Sequence, residues 1–241
     1  MSEYIPCLTI RPTDNELSYR LAVEENPNNA ASSGNGSMAV GLKSKFWRNF
    51  QTLSVGFLDQ ISSDEKKAFQ KAINKWTRLV NLNIVFVADA RKAIIRIKTK
   101  TQRNSSAVGT DALTQDYGTP TMYIGVNPKS AKFEATVLHE FGHALGFEHE
   151  HLHPDAHIPW NREKVYNRYR FSISREEIDD NFFNPINEPT LYCTEYDRDS
   201  IMHYHINKEL TDGKLEVKEN LTLSSGDMYL AMKVYPETPE D

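Results

Sequence analysis

Eleven consecutive residues, His139-Glu140-Phe141-Gly142-His143-Ala144-Leu145-Gly146-Phe147-Glu148-His149, restrict this chain more than any other stretch. They read H-E-x-x-H-x-x-G-x-x-H. On a helix, His139 and His143 are one turn apart on one face, so both imidazoles address the same point in space. Gly146 suits a sharp helix end, because glycine enters the left-handed region at little steric cost. The chain can then turn back and bring His149 to the same point. From Lys132 to Leu145 the apolar residues Val137, Leu138, Phe141, Ala144 and Leu145 form a stripe that packs such a helix into a core. The fold must therefore bury one side of this helix and leave its histidines facing a cleft.

Three convergent imidazoles suit zinc, with a fourth position left for water and substrate. Glu140 projects from the same helix beside the metal position, where it is placed to take a proton from a water that the metal acidifies. A structural zinc site fits less well, since such sites close with four protein ligands, often cysteine. Surface histidines on an ordinary amphipathic helix would not require Gly146 and His149 at these offsets. The expected metal ligands are His139, His143 and His149, for one Zn2+ per chain, and the expected general base is Glu140.

A second motif lies downstream, in Ser200-Ile201-Met202-His203-Tyr204. Together with the histidine run it resembles the Met-turn of the metzincins, and the Met-His-Tyr form is similar to the astacin-like branch. That resemblance implies a hydrophobic floor at Met202 beneath the zinc site. It also implies a catalytic Tyr204 close to the metal, as a further ligand or as a phenol that stabilises the oxyanion. Glu150 follows the third histidine as it does in astacins. The specific matches run over Phe133–Trp160 and Cys193–Tyr204. The chain departs from the pattern at His151-Leu152-His153-Pro154-Asp155, which replaces an arginine- and aspartate-rich run, and it has fewer cysteines than animal astacins. A divergent, microbial-type member is implied.

Charge and hydropathy exclude other classes. The 241 residues carry a net charge of -5 and lack a long basic run, which argues against nucleic-acid binding. No apolar stretch is long enough to span a bilayer. The first residues lack the basic and apolar regions of a conventional signal peptide. The protein is then cytoplasmic, exported by another route, or secreted after loss of a leader. Cys7 and Cys193 leave three readings open. They form a disulfide, both are unpaired, or Cys7 is a thiolate ligand that blocks the zinc.

The remaining pattern is α/β (α+β). Residues 1–45 form an N-terminal extension with a short helix around Glu16–Glu25 and a Ser/Gly/Asn-rich loop at 30–37; residues 46–241 form the catalytic domain. Strands are expected at Thr52–Leu58, Ile84–Val87 and Ile94–Lys98, with two more between Val108 and Val126. A helix opens at the capping box Ser62-x-x-Glu65 and carries Phe69, Ala72, Ile73, Trp76 and Val80 on one face. Further helices are expected near Arg162–Arg170, Arg175–Phe183 and Asp227–Val234, the last with Met228, Ala231, Met232 and Tyr235 inward. The order resembles a two-lobed metzincin: a twisted upper sheet with backing helix and active-site helix, then a loop-rich lower lobe with a C-terminal helix. A protein or peptide substrate would lie extended in the cleft against a sheet edge, with Ser105–Thr110 as the candidate edge. His151, His153 and His157 read as a solvated histidine-rich loop, the alternative being a second metal site, and the chain reads as a monomer. The function expected is a zinc-dependent endopeptidase; the alternative is a catalytically silent protein-binding module of the same fold.

Overall fold

The computed structural model describes residues 6–30, 45–184 and 194–237. Six strands form one sheet in the order β1-β5-β6-β4-β2-β3. They are β1 Leu8–Ile10, β2 Thr52–Phe57, β3 Asn83–Phe86, β4 Ile95–Thr99, β5 Ser105–Ala107 and β6 Met122–Ile124. The β5–β6 pair is antiparallel and the others are parallel. Leu53, Val55, Ile95, Ile97, Met122 and Ile124 are buried in the main core. These β-branched and long aliphatic side chains suit a sheet covered by helices.

Helix α2, Ser63–Thr77, backs the sheet. The expected capping box forms: Glu65 N–H donates to Ser62 Oγ at 3.2 Å, and Ser62 N–H donates to Glu65 Oε2 at 2.7 Å. Phe69, Ala72, Ile73 and Trp76 are its buried face. Trp76 also donates its indole N–H to Leu138 O at 2.9 Å, which fixes α2 against helix α3, Phe133–Ala144. Thus the helix that carries His139 and His143 is held by both packing and a buried hydrogen bond.

The second part of the chain has its own apolar cluster. It gathers Val165 and Tyr169 of α4 (Arg162–Tyr169), Ile178 of α5 (Arg175–Ile178), Phe182, Phe183, Tyr204 and Leu210. Cys7 and Leu8 belong to this cluster too. The N-terminal strand therefore packs against the lower cluster while it pairs with the upper sheet.

Three sequence expectations need correction. Between 108 and 126 there is one strand, β6, because Gly109–Thr114 forms a 3₁₀ helix. Gly109 has φ +48°, and a Cβ there would collide with Lys45 O, so the backbone turns tightly where the pattern suggests a strand. In the final helix α6, Ser225–Val234, Ala231, Val234 and the following Tyr235 point inward, whereas Met228 and Met232 are exposed. Strand β1 has no sequence signal within the extension, whereas helix α1, Asn15–Glu25, forms where it is expected. The Ser/Gly/Asn loop from residue 31 onward lies outside the described residues, as does Cys193.

Candidate metal centre and peptide cleft

Helix α3 places His139 and His143 on one face, and the chain reverses at Gly146, whose φ is +102°. A Cβ on Gly146 would meet Phe46 Cδ1 at 2.7 Å, so space as well as backbone conformation requires glycine. The turn is braced from outside. Trp47 donates its indole N–H to Ala144 O at 2.8 Å, and Tyr235 donates its hydroxyl to Leu145 O at 2.5 Å. His149 then returns to the histidine pair, with Nε2 3.1 Å from His143 Nε2.

The outer ring nitrogens set the tautomers. His139 Nδ1 lies 2.7 Å from Ile201 O, and His143 Nδ1 lies 2.7 Å from Phe147 O. A carbonyl accepts, so each Nδ1 carries the proton and each Nε2 keeps a lone pair. Burial holds His139 down to about 4 and His143 and His149 well below the ordinary histidine range. All three are neutral near pH 7, as ligands must be. His139 Nε2 is buried without a hydrogen-bond partner among the described residues. Such a lone pair aimed at its neighbours fits a cation.

A fourth group joins them. One ligand atom from each of Cys7, His139, His143 and His149 lies within 4.8 Å of the other three. Cys7 is a buried, unpaired thiol whose Sγ donates to Glu140 Oε2 at 3.2 Å. Burial first, then the Glu140 charge, pushes this thiol well up from its ordinary value. Glu140 itself is 1% exposed, and burial raises it to about 8, with the Cys7 hydrogen bond pulling the other way. Of the three sequence readings for Cys7, the structure brings the third one into contact with the site.

Tyr204 comes to the same place. Its ring lies edge-on to His149, with centroids 4.4 Å apart, and its hydroxyl donates to Cys7 O. His151 stacks on the other side at 4.0 Å and 22°. This corrects the reading of His151 as solvated: it is 4% exposed and donates Nε2–H to Asn181 O at 2.7 Å. His153 Nε2 similarly lies 2.8 Å from Thr194 O. The signal for burial is an apolar leucine between two histidines, too short a pattern to separate from a loop.

Met202 lies directly beneath α3. A Cβ on Gly142 would collide with Met202 Sδ, so glycine lets the Met-turn approach. The turn is fastened twice. Glu150 N–H donates to Met202 O at 3.1 Å, while Asp227 accepts from Ser200 Oγ at 2.6 Å and from Ile201 N at 2.8 Å. Asp227, which also completes the α6 capping box, is visible in sequence only as a cap. Its second task depends on a contact 26 residues away in the chain, which no local pattern reveals.

Of the expected edge Ser105–Thr110, only Ser105–Ala107 is a strand, β5, and it is not an edge, because β1 lies along its free side. Leu8, Thr9 and Ile10 pair in parallel with Ser105, Ser106 and Ala107. On its other side Thr9 N–H donates to Asn181 Oδ1 at 3.3 Å. An extended segment thus lies in the cleft between the sheet edge and the lower cluster, with Cys7 at the histidines.

A neutral three-histidine set on a helix and its return loop, a carboxylate beside it and a Met-turn below define a metzincin-type metal site, and its ligand chemistry is that of zinc. The chain belongs to the astacin peptidase family, whose pattern matches residues 39–222. It is similar to the solved structure of myroilysin, with 31% identity, a TM-score of 0.72, and coverage of 81% of this chain and 97% of that one. A second crystal structure of myroilysin is matched over 98% of this chain and 92% of its own, at 27% identity and TM-score 0.68. High choriolytic enzyme 1, a hatching-enzyme zinc protease from Oryzias latipes, shares the fold at 18% identity and TM-score 0.55, over 79% of this chain and 94% of its own. Among curated proteins, bone morphogenetic protein 1 of Xenopus laevis is 29% identical over 46% of this chain and 17% of its own length. Zinc metalloproteinase nas-39 of Caenorhabditis elegans is 31% identical over 46% of this chain and 13% of its own. The chain therefore spans a minor part of those two relatives.

Proposed function

We propose that this chain is a zinc-dependent endopeptidase in which His139, His143 and His149 hold the metal, Glu140 is the general base, and Tyr204 assists as an oxyanion donor. The observation that carries the reading is the set of buried, neutral imidazoles whose ring nitrogens converge beside the Glu140 carboxylate. Zinc, when bound, polarises the scissile carbonyl and acidifies the attacking water. Glu140 takes the proton from that water and returns it to the departing amine. Burial raises Glu140 to about 8 in this arrangement, which makes its carboxylate a stronger base toward the proton of that water. The Tyr204 hydroxyl, held between His149 and His151, would swing from Cys7 O to the oxygen that gains charge. β5 would hold the substrate backbone by strand addition, with little regard to side-chain identity.

The arrangement with Cys7 at the histidines is the closed one. Within the N-terminal extension 1–45, the described segment around β1 would act as the cover of the catalytic domain 46–241, with Cys7 at the metal position and β1 on the substrate edge. A thiolate is a good zinc ligand, and a fourth protein ligand leaves no position for the reaction. Replacing Cys7 by alanine is expected to raise cleavage of unfolded casein by roughly tenfold or more at unchanged zinc content. In that background Glu140→Ala is expected to keep one zinc per chain and lose turnover by a factor on the order of 10²–10⁴. Turnover near the parent rate would remove Glu140 from the mechanism. Zinc in both variants with cleavage by neither would favour the protein-binding alternative.

A further inference from the structure

The N-terminal segment lies in the cleft as an extended peptide would, so each of its side chains marks a place where a substrate side chain can sit. Cys7 marks the metal, and Leu8 to Ile10 mark the strand edge. Beyond them Arg11 reaches Glu148, with Nη1 3.1 Å from Oε1. We propose that Glu148 forms a cation-binding subsite, and that the open cleft favours peptides with arginine or lysine about four residues from the one that faces the metal. The inference rests on the peptidase reading and adds a substrate class to it.

Four observations support the subsite. Glu148 is locked between two fixed neighbours, since Phe147 O accepts from His143 and His149 belongs to the metal cluster. Its side chain is 23% exposed with Arg11 in place, so the ion pair is partly shielded from water. Its Oε2 is buried and takes no hydrogen bond among the described residues, which leaves a second oxygen for the two-pronged fit that guanidinium makes with carboxylate. Asp180 and Asp111 also act on the Arg11 guanidinium. Asp111 has its own partners in Lys45 and Ser18, so Glu148 and Asp180 are the charges a newcomer would meet.

The energetic argument turns on what remains when the segment leaves. An exposed ion pair contributes little, because water replaces either partner. When the segment leaves, Glu148 loses its cation, and its Oε2, buried in the closed arrangement, has no hydrogen-bond partner among the described residues to replace it. A substrate that restores the cation removes that penalty, so charge at this position should be selected while neighbouring positions are read through backbone contacts. Spacing sets the register: four residues of extended chain span about 13 Å. The segment runs parallel to β5, whereas a substrate is free to run either way, so positions on both sides of the cleaved bond must be scanned.

The test uses the full chain carrying Cys7→Ala and Arg11→Ala, which clears the metal position and the carboxylate together. This protein, and the same protein with Glu148→Gln or Glu148→Lys, would be loaded with zinc and given two peptide libraries, one with a single arginine and one with a single glutamate moved through each position. The expected result is a preference on the order of tenfold in kcat/KM for arginine at one position. Glu148→Gln should flatten it, and Glu148→Lys should replace it by a preference for glutamate there. A flat scan in the parent protein, or a preference unmoved by either Glu148 variant, would overturn the subsite while leaving the peptidase intact. Absence of cleavage throughout, with zinc bound, would instead overturn the peptidase reading and the subsite with it. Zinc content and circular dichroism on each variant separate a lost preference from a lost fold; Glu148→Gln serves where the lysine variant disturbs His149.

Discussion

Single residues hold this site by contacts of opposite kinds. Gly142 matters for what it lacks: with a Cβ, α3 would press on Met202 Sδ and on Trp76. Gly142→Ala is expected to destabilise the protein by about 1–3 kcal/mol through overpacking, read from chemical denaturation. Asp227 matters for how many donors it satisfies, accepting from Ser200 Oγ, Ile201 N and Ser224 N. Asp227→Ala would leave a buried backbone N–H at Ile201 unpaired, at a cost of about 1–3 kcal/mol in the same measurement. Its effect on zinc affinity should be larger than that of a surface mutation, because Ile201 O orients His139. The histidines, Glu140 and the Met-turn are all readable in sequence, since their chemistry dictates spacing along a helix and a turn. Asn181 and Glu148 are not, because an ordinary amide and an ordinary carboxylate acquire meaning only from the segment that lies against them.

At the scale of elements, legibility follows length. Helices α2 and α3 repeat their apolar stripe over three turns or more, enough for the period to stand out. Strands β1, β5 and β6 have three residues each, too few to show alternation. Helix α6 fails for a different reason. Apolar residues lie on two of its faces, and the sequence does not say which face is covered; the structure covers Ala231 and Val234 and leaves Met232 50% exposed. Two substitutions distinguish the faces. Met232→Lys should change stability by less than about 0.5 kcal/mol, whereas Ala231→Leu, at a position with no exposure, should cost about 1–3 kcal/mol. Equal effects would mean that α6 rotates to accommodate either.

The whole molecule is tied across its sheet and between its ends. Asp59, in the loop after β2, accepts from Lys98 Nζ at 2.5 Å and from Thr99 N at 2.6 Å. Burial alone would raise this carboxyl, but the Lys98 and Thr99 hydrogen bonds outweigh it and hold it below the ordinary 3.8. A depressed native value means that the contribution to stability is present above the unfolded value and is lost as pH falls through the folded one. Asp59→Asn is therefore expected to be less stable than the parent near neutrality, with the gap closing on acidification below about pH 4. A gap that persists at about pH 2 would show that shape, and not charge, accounts for the loss. The longer tie runs through Tyr235. Its hydroxyl donates to Leu145 O and accepts from Trp47 N at 3.2 Å, so the turn that delivers His149 leans on residues from both ends of the fold. Synthesis proceeds in one direction, and Tyr235 emerges 86 positions after His149. A nascent chain has all three histidines in hand long before it has the brace that sets the third one. The turn that carries the third histidine is therefore set only after Tyr235 has been made and has folded back onto Leu145.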